Sequence, residues 1–442
     1  MNTPIYDFVS RYVESGASRL HVPGHKGIGP LNCEDRDITE IAGADELFAA
    51  DGIIAKSEKN ASLLFGSGAT FYSCEGSSLC IRAMLYLALS TRTPGPARPV
   101  ALAARNAHKA FLYAAALCDF DVEWLYPESD AGSICACPVS PEALEARLAA
   151  MPVKPFCVYV TSPDYLGGMQ DIRGLSEVCH RHGAPLIVDN AHGAYLKFLP
   201  VSAHPIDLGA DMCCDSAHKT LPVLTGGAYL HLSKAADPRL IAGARDALSL
   251  FGSTSPSYLI LQSLDLANAA LAGDWPARLN DSAAAVARLK ATLAGRGFDV
   301  LPAEPMKLTL RGDGRAMAEA LRRAGAECEY ADRDALVLMF SPDNRPEDLS
   351  RVEGALTSPT RPRDGAVAFP RLERVMTIRE AVFAPSETVP TARAAGRVCA
   401  APTVSCPPAV PIAVSGERLN ADALDVFRAY GIRAVRVILP DR

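Results

Sequence analysis

Residues 186–192 read Leu-Ile-Val-Asp-Asn-Ala-His, an apolar run that ends in Asp189 and is followed three residues later by His192. A short apolar run bounded by polar residues is typical of a strand in a sheet that is covered on both faces. Similar runs alternate with helical patterns: strand-like runs occupy residues 98–103, 156–161 and 211–216, and helical patterns occupy 140–150 and 174–182. This alternation predicts an α/β fold with a mainly parallel central sheet and helices on both faces. Because ligands bind beyond the carboxyl ends of such strands, the polar residues there are the first candidates for chemistry.

The composition fits a globular protein and argues against several other classes. The chain has 442 residues, of which 49% are hydrophobic and 21% charged, so it can bury enough apolar surface to form roughly two or three domains. The formal net charge is −6 and there is no run of Lys or Arg, which argues against a nucleic-acid partner. Neither a signal-peptide core nor an apolar stretch long enough for a bilayer is visible. We therefore expect a soluble protein with no membrane partner.

The thirteen cysteines are scattered rather than grouped. Sparse cysteines in a chain of this length are typical of reduced, mostly buried thiols, and they predict a cytoplasmic protein. The closest groups, Cys135-x-Cys137 and the adjacent Cys213 and Cys214, lack the spacing of a zinc site, so no metal is expected.

The pattern of elements divides the chain into four parts. They are an irregular, Gly-rich N-terminal arm, a large domain with the central sheet, a small α/β domain and a C-terminal segment, at residues 1–55, 56–275, 276–357 and 358–442. A helical stretch over 257–293 bridges the large and small domains. The Pro-rich interval 358–370 is a plausible linker or surface loop. The region after the large domain is expected to be a small α+β unit.

A lysine follows the strand-like run at 211–216. From Asp215 the sequence reads Asp-Ser-Ala-His-Lys-Thr, which places Lys219 just beyond a strand, where a cleft is expected. A lysine desolvated in a cleft has a lowered pKa and can act as a nucleophile or form a Schiff base. From this stretch alone, a loop lysine that extends into water explains the pattern equally well.

Asp189 is the second candidate, because a buried carboxylate needs a cationic or hydrogen-bonding partner. A protonated pyridine nitrogen is such a partner. Asp189 precedes Lys219 by thirty residues, enough for one crossover and a strand, so both are expected at the same edge of the sheet. Taken alone, Asp189 is better explained as a helix N-cap.

Small hydroxyl residues open a helical pattern at residues 79–89. The segment Cys74-Glu75-Gly76-Ser77-Ser78 offers backbone N–H groups, side-chain donors and a helix dipole to a phosphate, although Ser77 could be a simple N-cap. Beyond the run at 98–103, His108 could lie flat against an aromatic ligand or be an ordinary core histidine. In chain order, these features describe a pyridoxal phosphate (PLP) site with a phosphate helix, a stacking histidine, a pyridine-binding aspartate and a Schiff-base lysine.

The sequence resembles the Orn/Lys/Arg decarboxylase family, group III of the PLP-dependent decarboxylases, which has the aspartate-aminotransferase-like type I fold. The resemblance covers nearly the whole chain, and its most specific parts are the lysine motif Ser216–Pro222 and the run Ser253–Tyr258. Further matching segments lie at residues 21–27, 37–40, 45–47, 65–67, 106–109, 161–163, 189–194, 395–398, 407–408 and 415–417. The resemblance implies a short form that lacks the N-terminal wing domain, and a dimer or tetramer rather than a large ring.

By position, the resemblance also implies roles for individual residues, with the large domain at 56–275 binding the PLP. Lys219 would carry the internal aldimine, Asp189 would pair with the pyridine nitrogen, and His108 would stack on the ring. His218 or Lys219 would return a proton to the substrate carbon after CO₂ is lost. The other cofactor-binding residues would surround the phosphate and the Schiff base: Gly76, Ser77, Ser78, His192, Ser216 and His218, with Ser253 and Thr254 contributed by the neighbouring subunit. A homodimer with shared active sites follows, and a dimer of dimers stays open.

Three positions depart from the family pattern. Asn190 stands where relatives usually have Glu, Cys406 stands where many have Tyr, and Ala409 stands where Gly is usual. The changes near Pro407 fall in a region expected to approach the substrate side chain or a subunit contact. They bear on the identity of the substrate more than on use of the cofactor.

Together these features predict a carbon–carbon lyase that decarboxylates a basic amino acid (arginine, lysine or ornithine), a step of amino-acid metabolism and polyamine biosynthesis. A cationic substrate side chain should meet carboxylates; Asp45, Glu46 and Glu417 are candidates, and each could equally be a surface charge. A decarboxylase or lyase of a different amino acid remains an alternative, as does a catalytically silent regulatory homologue. Retention of the lysine, the aspartate and the stacking histidine together argues against the silent homologue.

Overall fold

The structure, a computed structural model, describes residues 1–128, 133–361, 368–401 and 410–440. Its α-helices, in chain order, are α1 (Pro4–Glu14), α2 (Ile53–Phe65), α3 (Gly76–Thr91), α4 (Lys109–Cys118), α5 (Pro141–Ala150), α6 (Ile172–Arg181), α7 (Ala217–Thr220), α8 (Pro238–Ala242), α9 (Ala244–Phe251), α10 (Tyr258–Leu271), α11 (Trp275–Gly295), α12 (Gly314–Arg323), α13 (Pro346–Ala355), α14 (Ile378–Phe383) and α15 (Ala421–Ala429). Single 3-10 turns are at Glu34–Arg36, Ala194–Phe198, Pro205–Leu208 and Thr391–Arg393.

Strands form close to the apolar runs at residues 98–103, 156–161, 186–189 and 211–216, and others form elsewhere in the chain. In chain order they are β1 (Ala69–Ser73), β2 (Val100–Ala104), β3 (Asp121–Leu125), β4 (Cys157–Thr161), β5 (Leu186–Asp189), β6 (Met212–Asp215), β7 (Ala228–Leu232), β8 (Asp299–Val300), β9 (Lys307–Arg311), β10 (Tyr330–Ala331), β11 (Ala335–Met339), β12 (Glu373–Arg374), β13 (Ser386–Pro390), β14 (Glu417–Arg418) and β15 (Ala434–Ile438).

The chain divides into two compact units, each built from two separate stretches. Unit 1 contains Met1–Thr93 and Pro185–Leu279, and unit 2 contains Pro94–Ala184 and Asn280–Arg442. The four-part division expected from the sequence follows other boundaries and stays a prediction.

In unit 1 the strands lie in the order β1-β7-β6-β5. Strands β5 and β6 are parallel, with Asp189 opposite Cys214, whereas β7 is antiparallel to both β6 and β1. Every residue of β5 and β6 is buried, because both faces of these strands are covered, and this is why they read as continuous apolar runs. The register brings the carboxyl ends of β5 and β6 to one edge, as the sequence predicts.

In unit 2, β4, β2 and β3 are neighbours and all parallel. Later residues form a small antiparallel sheet in the order β10-β11-β9-β8, together with the two-stranded pairs β12-β14 and β13-β15. The expected fold class, a mainly parallel α/β arrangement followed by a small α+β region, is confirmed.

Two local expectations differ from the structure. The N-terminal arm is not wholly irregular, since α1 is a regular helix whose first N–H groups, those of Ile5 and Tyr6, donate to the carboxylate of Asp265. The helical stretch expected at 257–293 is two helices, α10 and α11. Pro276 stands in the first turn of α11, where its missing N–H is tolerated, and it could not have continued α10.

Some expected features lie partly or wholly outside the described residues. They include part of the Pro-rich interval 358–370 and the segment with Cys406, Pro407 and Ala409. Among the described residues, no helix is both long and apolar enough to cross a bilayer.

Candidate active site

Lys219 lies in the short helix α7, directly beyond the carboxyl end of β6. The side chain is exposed, and its Nζ lies 3.0 Å from Nε2 of His192, which follows β5. An imidazole nitrogen that accepts a hydrogen bond from an ammonium group can also receive its proton. The two strand ends therefore bring together a lysine amine and a base, as a Schiff-base site requires.

Asp189 ends β5 and is 3% exposed. Its Oδ1 accepts a hydrogen bond from the N–H of Ala191 at 3.2 Å, and the thiol of Cys214 lies 3.7 Å from the same oxygen. The carboxylate is thus fixed at the same strand edge as Lys219, in the position that suits a pyridine nitrogen.

A pair of buried hydroxyl groups joins the start of α3 to the end of β6. The hydroxyl of Ser216 donates to Oγ of Ser77 at 2.8 Å. Gly76 has a φ of +69°, a left-handed conformation that favours glycine, and a Cβ at this position would lie 4.0 Å from Cε1 of His218. Ser78 follows, half-buried, in the first turn of α3. Hydroxyl groups and unbonded N–H groups at a long helix's N-terminus are the donors that a phosphate needs.

His218 faces the turn before β7. Its Nδ1 donates to the carbonyl oxygen of Gly227 at 3.0 Å, and burial lowers the pKa of the imidazole. Since this bond fixes the hydrogen on Nδ1, the neutral ring offers the lone pair of Nε2 as an acceptor.

The segment that was expected to reach a neighbouring subunit is on the surface of unit 1. Ser253 and Thr254 are both exposed, and the N–H of Ser253 donates to Oε1 of Glu75 at 2.6 Å. Glu75 immediately precedes Gly76, so this segment is bonded to the start of α3 in its own chain.

His108 belongs to unit 2, where it is the N-cap of α4. Its Nδ1 accepts a hydrogen bond from the N–H of Ala110 at 3.1 Å, and the ring is half-buried. The neighbouring Asn106 is almost fully buried and donates from Nδ2 to the carbonyl oxygen of Cys135. The capping bond orients the ring of His108, whose stacking role stays a prediction.

The three carboxylates considered for the substrate side chain differ in their surroundings. Asp45 is buried, and its Oδ2 accepts from the N–H groups of Gly52 and Ile54 at the start of α2. Glu417 is also buried; burial raises the pKa of its carboxyl group, and the charge of Arg105 opposes that rise. Glu46 is half-buried and accepts only one bond from the protein in the described residues, that from the N–H of Phe48. Asp45 and Glu417 are thus engaged in holding the fold.

One cluster near this edge escaped the sequence interpretation. Asp215, the last residue of β6, is fully buried with Asn190, His204 and His231. A histidine inside the otherwise apolar strand Ala-Tyr-Leu-His-Leu of β7 was the available signal, because a buried imidazole needs partners. Asn190, which departs from the family pattern, points its amide into this cluster.

Comparison with known families decides the relationship. The family model described as the major domain of Orn/Lys/Arg decarboxylases matches residues 3–309. The chain belongs to the Orn/Lys/Arg decarboxylase family.

Curated relatives match the Orn/Lys/Arg decarboxylase chain along nearly their whole lengths. The uncharacterized protein YaaO of Bacillus subtilis is 29% identical, over 96% of this chain and 93% of its own. The protein named arginine decarboxylase in the same organism is 27% identical, over 95% of this chain and 92% of its own.

Solved structures share the fold of this Orn/Lys/Arg decarboxylase. The constitutive lysine decarboxylase of Escherichia coli superposes with a TM-score of 0.80 at 19% identity, covering 99% of this chain and 82% of that one. Lysine decarboxylase A of Pseudomonas aeruginosa gives a TM-score of 0.80 at 18% identity, covering 99% and 80%.

Membership of the family makes this chain an amino-acid decarboxylase that uses pyridoxal phosphate, as the sequence predicts. The donor set of unit 1 fits that cofactor. It contains the groups that such a cofactor would need: an amine at Lys219, a buried carboxylate at Asp189, and hydroxyl groups at Ser77 and Ser216.

Proposed function

We propose that the enzyme decarboxylates a basic amino acid, arginine, lysine or ornithine, and that Lys219 binds the cofactor covalently. The observation that carries the proposal is the arrangement at one edge of unit 1, where Lys219 contacts His192 beside the buried carboxylate of Asp189. Bound there, pyridoxal phosphate supplies an electron sink for the negative charge left at the substrate carbon when CO₂ departs.

The chain's own residues then have distinct tasks. Asp189 keeps a positive charge on the ring nitrogen, because an ionised carboxylate favours the protonated form of a base beside it. Ser77 and Ser216 hold the phosphate and so fix the ring's position. The amine of Lys219 is the group proposed to return a proton to the substrate carbon; Nε2 of His218 could do so only after taking a proton up, because the neutral ring carries its hydrogen on Nδ1.

The substrate class is supported by the family and its named relatives. Relatives named arginine decarboxylase align over nearly the whole chain, so arginine is the first substrate to test. Since Asp45 and Glu417 are held by backbone N–H groups or by Arg105, we assign the contact with the cationic side chain to Glu46.

We propose a homodimer with shared active sites. The N-terminal arm presents apolar side chains to solvent that a second copy would cover: Leu20, Val22, Ile28 and Leu31, which are 94%, 65%, 82% and 76% exposed. Ser253 and Thr254 are likewise exposed, so a partner subunit could approach their side chains.

We further propose that the enzyme works in the cytoplasm, in the pathway that leads from basic amino acids to polyamines. The described cysteines are free thiols and most are buried, which is the usual state of cysteines in a reducing compartment.

The decisive experiment combines absorbance with product analysis. Protein reconstituted with pyridoxal phosphate should show the visible band of a lysine-bound cofactor. Lys219→Ala should lose it, and Lys234→Ala, which removes a different lysine of unit 1, should keep it. CO₂ and amine release are then measured for arginine, lysine, ornithine and a panel of neutral and acidic amino acids.

Each result of this experiment has a clear meaning. Release of CO₂ from a basic amino acid supports the proposal and names the substrate. Release only from a neutral or acidic amino acid favours the alternative, a decarboxylase or lyase of another class. Absence of the visible band would leave the silent regulatory homologue.

A further inference from the structure

A buried carboxylate that the proposed mechanism does not use lies directly behind the cofactor-binding edge of unit 1. Oδ2 of Asp215 accepts hydrogen bonds from Nε2 of His204 at 3.0 Å and from Nε2 of His231 at 3.2 Å, and Oδ1 accepts from Nδ2 of Asn190 at 2.6 Å. All four side chains are completely buried. Three other segments of unit 1 thus converge on the carboxylate of Asp215.

The protonation of this cluster follows from its hydrogen bonds. Burial alone would raise the pKa of Asp215, but His204 and His231 hold it well below its usual value, so the group is a carboxylate that only accepts. Each histidine must therefore donate from Nε2. The ring of His204 accepts at Nδ1 from the N–H of Ile206 at 3.4 Å, and Nδ1 of His231 lies 2.8 Å from the hydroxyl of Thr70, while burial lowers the pKa of His231.

Two histidines and an aspartate are also common metal ligands. In this structure both Nε2 atoms lie within hydrogen-bond distance of Oδ2 of Asp215, and Nδ1 of His204 accepts from a backbone N–H. The cluster is a hydrogen-bond network centred on a buried carboxylate.

The neighbours of the cluster in sequence are the cofactor-binding residues. Asn190 follows Asp189 and its backbone N–H donates to the carbonyl oxygen of Cys214 at 3.0 Å, while Asp215 precedes Ser216, whose hydroxyl donates to Ser77. A shift of the Asn190 or Asp215 side chain would therefore move the ends of both β5 and β6. Those ends carry the pyridine-binding aspartate and the lysine.

We propose that Asp215 is a positioning residue, which through Asn190, His204 and His231 fixes the ends of β5 and β6 so that Asp189 and Lys219 meet the cofactor in one orientation. The inference rests on the proposed function, because it assigns those two residues to the cofactor. It adds a buried carboxylate to a site whose other proposed residues are assigned to the cofactor itself.

Replacing Asp215 by asparagine tests this directly. The amide keeps the size of the side chain but turns one acceptor into a donor, which then faces Nδ2 of Asn190. The Asn190 side chain could instead flip so that Oδ1 faces position 215. Its NH₂ group would then occupy the buried position where Oδ1 now has no hydrogen-bond partner. Either arrangement leaves buried donors unsatisfied at the strand ends.

The matched variant is the exchange Asn190→Asp with Asp215→Asn. In this double variant, the oxygen of the new amide at position 215 would accept from both histidines, and its NH₂ group would donate to the new carboxylate at position 190. Each hydrogen bond of the network is then retained, and only the bond between positions 190 and 215 has its donor and acceptor exchanged. Asp237→Asn is the control, because Asp237 is partly exposed at the start of α8, where asparagine also caps a helix.

Three readouts separate positioning from mere structural support. The first is the affinity for pyridoxal phosphate, measured by titration of the apoprotein. The second is the visible circular dichroism of the bound cofactor, which reports the orientation of its ring. The third is the pair of kinetic constants kcat and KM. For Asp215→Asn we expect about a 10-fold weaker affinity, altered circular dichroism and a fall in kcat larger than any change in KM. The exchange variant should recover to within about threefold, and Asp237→Asn should match the wild type.

The opposite results are equally clear. If Asp215→Asn lowers only the melting temperature and leaves the affinity, the dichroism and kcat at wild-type values, Asp215 is structural and the inference fails. If Asp215→Asn does not fold, Asn190→Ala replaces it as the test, because this variant leaves Asp215 and both histidines in place. Wild-type affinity for pyridoxal phosphate and wild-type dichroism in Asn190→Ala would then overturn the inference. If the wild-type protein binds no pyridoxal phosphate, the proposed function fails together with this inference. If the wild type is active and the variants have the same affinity, dichroism and kcat as the wild type, only this inference fails.

Discussion

Nζ of Lys219 lies 3.0 Å from Nε2 of His192, so a histidine that follows β5 is hydrogen-bonded to the lysine that follows β6. The amine reacts with an aldehyde only after it has lost its proton, and His192 is placed to take it. We therefore predict that His192→Ala slows incorporation of pyridoxal phosphate at neutral pH by about 10-fold or more. Stopped-flow absorbance of the apoprotein mixed with the cofactor measures this rate.

The control for His192 is His192→Gln, whose side-chain oxygen can accept the same hydrogen bond but cannot carry the proton away. We expect Gln to hold Lys219 in place, with near wild-type affinity at equilibrium, yet to be slow in the same assay. Equal rates for wild type and His192→Ala would show that the histidine takes no part in capturing the cofactor.

Asp189 offers a test of the charge at the ring nitrogen. Asp189→Asn keeps the size of the side chain and the bond from the N–H of Ala191 but removes the negative charge. We expect the visible band of the lysine-bound cofactor to persist while kcat falls by about 10²-fold or more, because the ring then absorbs charge poorly. Asp189→Glu, which restores the charge at a shifted position, should be less impaired; an asparagine variant with wild-type kcat would remove Asp189 from this role.

Shared active sites predict that two inactive variants restore each other. Lys219→Ala lacks the lysine, and the double replacement of Ser253 and Thr254 by alanine lacks the hydroxyl groups proposed to reach the partner's phosphate. After unfolding and refolding as an equal mixture, half of the dimers should contain one intact site, giving about a quarter of wild-type activity. Activity that never exceeds the sum of the separate variants would place both elements in the same subunit's site.

The buried strands β5 and β6, and the placement of Asp189 and Lys219 beyond their ends, could be predicted from the sequence because their causes are local. Complete burial makes β5 and β6 continuous apolar runs, and chain direction alone puts Asp189 and Lys219 at one edge. The cluster around Asp215 could not be predicted, because His204 and His231 reach it from separate segments, 11 and 16 residues away in either direction along the chain.

The choice among the three candidate substrate carboxylates likewise could not be made from the sequence. In the sequence, Asp45 and Glu417 look like Glu46, an acidic residue beside a motif. What separates them is burial: Asp45 and Glu417 are buried, Asp45 accepting from the N–H groups that begin α2 and Glu417 from the N–H of Val414 at 2.7 Å, whereas Glu46 is half-buried. Burial is fixed only once the chain is folded, so the proposal of Glu46 as the substrate carboxylate could not be made from the sequence.

Within unit 2, Arg105 supports a prediction about stability. It is fully buried, donates to the carbonyl oxygens of Pro411 and Ile412 at 2.6 and 2.8 Å, and lies 3.9 Å from the carboxylate of Glu417. Arg105→Met should lower the free energy of unfolding by about 3–5 kcal/mol, because it leaves a buried carboxylate without its cation. Urea unfolding of Arg105→Met, Glu417→Gln and the double variant measures the coupling, and strictly additive losses would contradict it.

Glu58 gives the fold a pH dependence whose sign can be worked out. Burial raises the pKa of Glu58 from 4.5 to about 7, against the opposing charge of Arg245, whose Nη2 donates to it at 2.6 Å. A carboxyl group whose pKa is higher in the folded state binds more protons there, so it stabilises the fold at low pH. That stability is lost as the pH rises from about 4.5 through about 7, by roughly 3 kcal/mol in all. Glu58→Gln cannot titrate and should remove this part of the slope. Urea unfolding of both proteins between pH 5 and pH 8 checks it, and identical slopes would show that Glu58 is ionised throughout that range.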